Sequence, residues 1–243
     1  MKLKNFIPLL VALAILLPLI FIPGGCANTS TPPSGGPKDT IPPVIKKVSP
    51  LPGDTLVSRK TKVVFTFNEY VKIKSAANIL LSPPQQKRPT SKVKEKSVVI
   101  SFDEPLDSNR TYSIDLTGAI VDNNEGNPFP GFTLVFSTGN KIDSMVMTGT
   151  VRDCSTLLPV EGVTVMLYKD HADSAIFLHR PDAAVKTDAW GYFVLRNIQD
   201  TLYRVYAVKD DNNNYMFNPE TEKMAFLDTR FRPTRMVSDT LKD

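Results

Sequence analysis

KTKVVFTFNEYV, residues 60–71, puts Val63, Phe65 and Phe67 on one side of the chain and Val64 and Thr66 on the other. Alternation of period two, carried by β-branched and aromatic residues, is the signature of a β-strand with a buried face. The same alternation returns at Val98, Ile100 and Phe102, at Tyr112, Ile114 and Leu116, and at Leu134 and Phe136. Turn formers separate these runs: Leu51-Pro-Gly-Asp54, Ser82-Pro-Pro84, Asp107-Ser-Asn109 and Asp122-Asn-Asn-Glu-Gly-Asn127. Short strands at roughly ten-residue spacing predict a β-sandwich. The pattern pauses over 139–144 and then resumes in the runs 145–151, 163–168, 192–196 and 202–208. No ten-residue window beyond the first segment carries a helical stripe. The chain therefore reads as all-β, with two consecutive β-sandwich domains over 41–139 and 144–230 and a polar tail over 231–243. Each set of strands is expected to form its own core.

The N-terminus carries an address. Lys2 and Lys4 precede an apolar run, Phe6–Ile22, interrupted by Pro8 and Pro18. A basic start followed by an apolar run of this length is the layout of a secretory signal. Residues 1–25 are read as that signal. Gly24-Gly25-Cys26 then resembles a bacterial lipobox, with Pro23 where an aliphatic residue is usual. Cys26 would become the lipidated mature N-terminus, and two or three acyl chains, at about 0.8 kcal/mol per buried methylene, hold a membrane durably. Residues 26–40 are rich in Ser, Thr, Pro and Gly and read as a flexible tether. The whole chain has 243 residues and a net charge of +4; loss of Lys2 and Lys4 leaves 27 basic against 25 acidic residues. So weak a field excludes nucleic-acid binding as the main activity. Two histidines and two cysteines leave little material for a zinc enzyme or a nucleophilic triad.

Two stretches carry a family resemblance. DTIPPVIKKVSPLPGDTLVSRKTKVVFTFNEYV (39–71) together with TYSIDLTGAIVDNNEGNPFPGFTLVFSTG (111–139) resembles the bacterial Ig-like domain of SbsA type. MTGTVRDCSTLLPVEGVTVMLYK (147–169), with KTDAWGYFVLRNI (186–198), is similar to the carboxypeptidase regulatory-like, transthyretin-like fold. With the GGPKD of the tether, the chain resembles the Ig-like lipoproteins of Bacteroidetes-type bacteria. Such chains usually run on further, so the resemblance leaves a longer parent protein open. It implies a non-catalytic, lipid-anchored protein of the outer membrane. Its role would be structural, adhesive or binding, toward an envelope protein or a glycan. A periplasmic accessory subunit of an outer-membrane complex is the alternative, and an envelope hydrolase the rival of another class. Surface export in such bacteria goes with an acidic run after the lipidated cysteine, and residues 27–36 hold no Asp or Glu. The periplasmic face is therefore favoured.

The chemistry-bearing residues are few. His171 and His179, with Asp170, Asp173 and Asp182, have the ligand types of a metal site but no fixing spacing, and read as a solvated loop. Cys154 reads as a partly buried inert thiol. Glu69, Asp103 and Glu104 supply carboxylates but no obvious facing pair. Lys92, Lys94 and Lys96, with Lys87 and Arg88, suit a protected sheet edge. Trp190 precedes Gly191 at a strand start. The sharpest signal is for calcium. Asp210, Asn212 and Asn214 stand two apart, Asn218 follows four later, and Glu220 and Glu222 come next. Alternate oxygens from one tight loop are what a hard cation requires. The candidate ligands are Asp210, Asn212, Asn214, Asn218 and Glu222, with Tyr215 where such loops carry Gly; the other reading is a polar hairpin in which Asp and Asn close Asx-turns on their own backbone. No other cofactor is indicated.

Overall fold

The alternating runs become strands with their apolar faces inward, as the computed structural model shows over residues 36–170 and 172–235. The signal segment, Cys26, most of the tether, His171 and residues 236–243 lie outside the described residues. The first nine strands are β1 (Ile45–Ser49), β2 (Val63–Phe67), β3 (Val71–Ile73), β4 (Leu80–Ser82), β5 (Thr90–Lys94), β6 (Ser97–Ser101), β7 (Thr111–Asp115), β8 (Ile120–Asp122) and β9 (Thr133–Ser137). One sheet has the order β1-β2-β6-β5 and a second β4-β7-β9, with β3 and β8 forming a two-stranded ribbon. Val63, Phe65, Val98, Ile100, Leu134 and Phe136 are buried between them. The Phe67 and Phe129 rings meet edge to face at 5.4 Å.

Two local devices hold this sandwich. The Asp122 carboxylate accepts hydrogen bonds from the backbone N–H groups of Asn124, Glu125, Gly126 and Asn127 at 2.6–3.2 Å. This explains why an Asp opens the DNNEGN turn. Burial pushes the Asp122 carboxyl upward, but the four donors outweigh it and hold the group below the usual carboxylate range. Between β1 and β2, Gly53 and Asp54 run beside β9 in the same direction, and Leu56, with a left-handed φ of 54°, turns the chain there. Gly53 N donates to Val135 O (2.8 Å), Ser137 N to Asp54 O (2.8 Å), Val57 N to Ser137 O (3.0 Å) and Leu56 N to Gly139 O (2.8 Å).

The second set comprises β10 (Met145–Thr150), β11 (Thr164–Tyr168), a single helical turn α1 (Ala175–Leu178), β12 (Ala183–Lys186), β13 (Tyr192–Ile198), β14 (Arg204–Val208), β15 (Met224–Phe226) and β16 (Thr234–Arg235). Its sheets have the orders β13-β10-β16 and β12-β11-β14-β15. Met147, Phe193 and Leu195 pack against Val165, Leu167 and Val205 between them. A further cluster covers the outer face of β11 and β14, where Met166, Tyr168, Tyr206 and Val208 meet Ala175 and Ile176 of α1. Every residue of β11 is thus buried, which accounts for its unbroken apolar run. The 169–181 stretch, expected to be a solvated loop, differs from that reading because Ala175 and Ile176 seal this cluster. The second sandwich also extends past residue 230: Phe231 bridges to Tyr203, and Thr234 and Arg235 pair with Val146 and Met145.

From Thr40 onward the chain forms one compact unit. The two cores are distinct, and polar contacts fasten them. Arg110 Nη2 lies 2.7 Å from Asp182 Oδ1, and Lys169 N donates to Asp182 Oδ2 at 2.8 Å. Lys169 Nζ is 3.5 Å from the same carboxylate. Ala184 N donates to Ser82 Oγ (3.1 Å) across the junction. The connecting segment joins both sides: Asp143 N donates to Thr111 Oγ1, and Asn197 Nδ2 donates to Asp143 O. Burial pulls the Arg110 guanidinium down, but its hydrogen bond and charge contact with Asp182 outweigh this and raise it.

Candidate functional site

Two residues past the end of β14 stands Asp210, whose side chain is buried, and the chain returns to β15 through residues 211–223. Asp210 organises the start of this loop. Its Oδ1 accepts from Asn214 N and its Oδ2 from Tyr215 N, both at 3.0 Å. Asn212 Oδ1 accepts from Asn214 N (2.9 Å), and Asn214 Oδ1 from Met216 N (2.8 Å). Asp and Asn satisfy nearby backbone donors in this way wherever the chain turns tightly. Asn213 and Tyr215 take left-handed φ values of 56° and 59°. That conformation is ordinary for Asn and rare for Tyr. Tyr215 takes there a conformation usually left to Gly, held by packing on the Met166–Tyr168–Tyr206 cluster.

Hydrogen bonds join four of the five candidate ligands, whereas Asp210 meets the loop through the Asn214 and Tyr215 amides. The Nδ2 groups of Asn212 (3.2 Å) and Asn214 (2.9 Å) both donate to Asn218 Oδ1. Asn218 N donates to Glu222 Oε2 at 3.0 Å. Glu222 is buried, Glu220 is exposed, and only the former turns its carboxylate to the loop. Glu222 Oε1 is shielded from solvent and has no hydrogen-bond partner. Lys186 Nζ donates to Asn213 Oδ1 at 2.6 Å. Burial holds that ammonium below its ordinary range, with the charge of Asp210 opposing the shift. Among the described residues no group of three or more His, Cys, Asp and Glu side chains assembles as a metal site. The loop's oxygens come from two carboxylates and three carboxamides.

The other residues singled out by sequence are dispersed. Cys154 is exposed, not partly buried, because it lies in a turn organised by Asp153 rather than beneath a sheet. His179 caps α1 and is exposed. The acids near it are otherwise engaged: Asp170 accepts from Ala172 N, Asp173 pairs with Arg204, and Asp182 holds Arg110. Asp103 and Glu104 are exposed. Lys92 and Lys94 lie exposed on β5, the edge of its sheet. Lys96 Nζ donates to Asn68 O and sits 5.5 Å from the Tyr70 ring centre. Trp190 is 78% exposed in the turn before β13. The Arg110–Asp182–Lys169 junction was not read from the sequence, since no local pattern marks partners 72 residues apart.

Comparison with known proteins places residues 39–138 in a match to the bacterial Ig-like domain family. Among solved structures, the chain is similar to the S-layer protein rSbsC at 17% identity, over 69% of this chain and 23% of that one, with a TM-score of 0.28. It is also similar to BcpA, the major pilin subunit of Bacillus cereus, at 11% identity, over 82% of this chain and 67% of that one, with a TM-score of 0.24. The chain thus spans less than a quarter of the length of the S-layer protein. No curated protein matches it.

Proposed function

We propose that this chain is a non-catalytic, lipid-anchored protein of the bacterial cell envelope, with a structural, adhesive or binding role. Its two sandwiches stand on a tether as one clamped unit and present surfaces to an envelope protein or a glycan. The observation that carries this reading is the match of residues 39–138 to the bacterial Ig-like domain family. The second sandwich is read as carboxypeptidase regulatory-like, transthyretin-like. Its motif glycines support that: a Cβ on Gly149 would lie 2.9 Å from the Phe193 ring, and Gly191 has φ +68°. Cys26 carries the lipid in this reading, and the acid-free stretch 27–36 favours the periplasmic face of the outer membrane.

The test is detergent-phase partitioning of the full chain and its Cys26→Ser variant from native envelopes. The wild type should partition with detergent and the variant with water; equal partitioning rejects the lipid anchor. Protease treatment of intact cells then separates the faces, since a periplasmic protein is protected and a surface protein is cut. Turnover of peptidoglycan or polysaccharide that one carboxylate substitution abolishes would replace this reading with a hydrolase.

A further inference from the structure

We infer that the 210–222 loop is a calcium site, ligated by Asp210, Asn212, Asn214, Asn218 and Glu222. This stands independently of how the chain is anchored. The observation that points to a cation is Glu222. It is only 8% exposed, its Oε2 faces Asn218 N, and its Oε1 is shut away from water with no donor. A buried carboxylate oxygen without a partner is costly, and a bound cation is what relieves it when no protein donor does.

The surrounding groups are of the right kind. Asn212 and Asn214 donate their Nδ2 groups to Asn218 Oδ1, while their own Oδ1 atoms accept the Asn214 and Met216 amides, so the loop gathers three carboxamides whose Nδ2 donors a cation would displace from Asn218 Oδ1. Each carboxamide oxygen that accepts one backbone N–H retains a second lone pair. Asp210 sits at the loop's base with both oxygens oriented by the Asn214 and Tyr215 amides. The set is all oxygen, with two negative charges and no sulfur or imidazole. That composition suits calcium, which accepts six to eight oxygens in irregular geometry, and disfavours zinc. Magnesium demands near-ideal octahedra and is poorly matched by three carboxamides on a turn. With only two carboxylates and Lys186 nearby, the dissociation constant should be about 0.1–1 mM, the range of extracellular calcium modules.

The experiment is thermal unfolding of the chelator-treated full chain, with calcium or magnesium added, for the wild type and Glu222→Gln. A tenfold excess of calcium over its dissociation constant should raise the wild-type midpoint by roughly 3–6 °C. Magnesium should do so weakly, and Glu222→Gln should lose at least about tenfold in calcium affinity. Terbium luminescence sensitised by Tyr215 supplies a wild-type readout that needs no variant to fold. Emission should appear on terbium addition and be displaced by calcium. No midpoint shift at 10 times the upper limit of that range, no calcium-displaced emission, or equal calcium responses in Glu222→Gln and wild type would each overturn the assignment.

Discussion

Replacing Asp182 by alanine should uncouple the two sandwiches. Its carboxylate receives Arg110 Nη2 at 2.7 Å and the backbone N–H of Lys169 at 2.8 Å, with Lys169 Nζ at 3.5 Å. The side chains of Arg110 and Asp182 are 25% and 17% exposed, so water screens the pair only in part. Breaking a fully buried pair costs about 3–5 kcal/mol, and an exposed pair about 0–1 kcal/mol. A loss of about 2–3 kcal/mol lies between these limits. Arg110→Ala should cost less, because Asp182 keeps the Lys169 amide. In a double-mutant cycle the two changes should couple by about 1–2 kcal/mol. Calorimetry of the full chain gives the second readout. The wild type should unfold with the sandwiches linked, and Asp182→Ala should split the endotherm into two, each core melting by itself. A coupling energy below about 0.5 kcal/mol, with an unchanged endotherm, would show that the junction is only a surface contact.

Leu134→Ala, at a fully buried position of β9, should cost about 2–5 kcal/mol by denaturant titration. Gly191→Ala should destabilise the second sandwich by about 1–3 kcal/mol from its left-handed backbone alone. The added Cβ would also lie 2.4 Å from Val151 O; a wild-type melting profile would contradict this. Acid should weaken the first sandwich through Asp122. Its folded value is depressed, so its contribution is complete above the unfolded carboxylate value of about 3.9 and disappears as pH falls through the lower folded value. Asp122→Asn should flatten that part of the pH–stability profile, and parallel profiles would reject the role.

The sequence revealed those strands whose burial is one-sided or complete. Val63–Phe67 and Ser97–Ser101 alternate because one face meets the core, and Thr164–Tyr168 is apolar throughout because both faces do. Thr90–Lys94 shows only through the lysines of a sheet edge, and Met224–Phe226 carries no signal, because edge strands bury little and have no period: β15 is exposed along its whole length. The helical turn Ala175–Leu178 is too short to show a stripe. The loop's ligand spacing was legible, yet spacing treats Glu220 and Glu222 alike. Only the backbone path from Asn218 to β15 decides that Glu222 turns inward. Asp182 looked like one acid among several near His179, and its real partner, Arg110, belongs to the other sandwich.

The hydrogen bonds that join Gly53 and Asp54 to Val135 and Ser137 of β9 have a mechanical meaning. The two segments run the same way, and the chain enters the first sandwich before one and leaves it after the other. Tension drawn between Thr40 and Gly139 therefore slides the segments past each other lengthwise. Under such shear the bonds share the load and must rupture nearly together, whereas a hairpin pulled from its open end unzips one bond at a time. Once β1 has been stripped from the edge, this patch is what resists extension. A chain drawn out from those two points would yield there last.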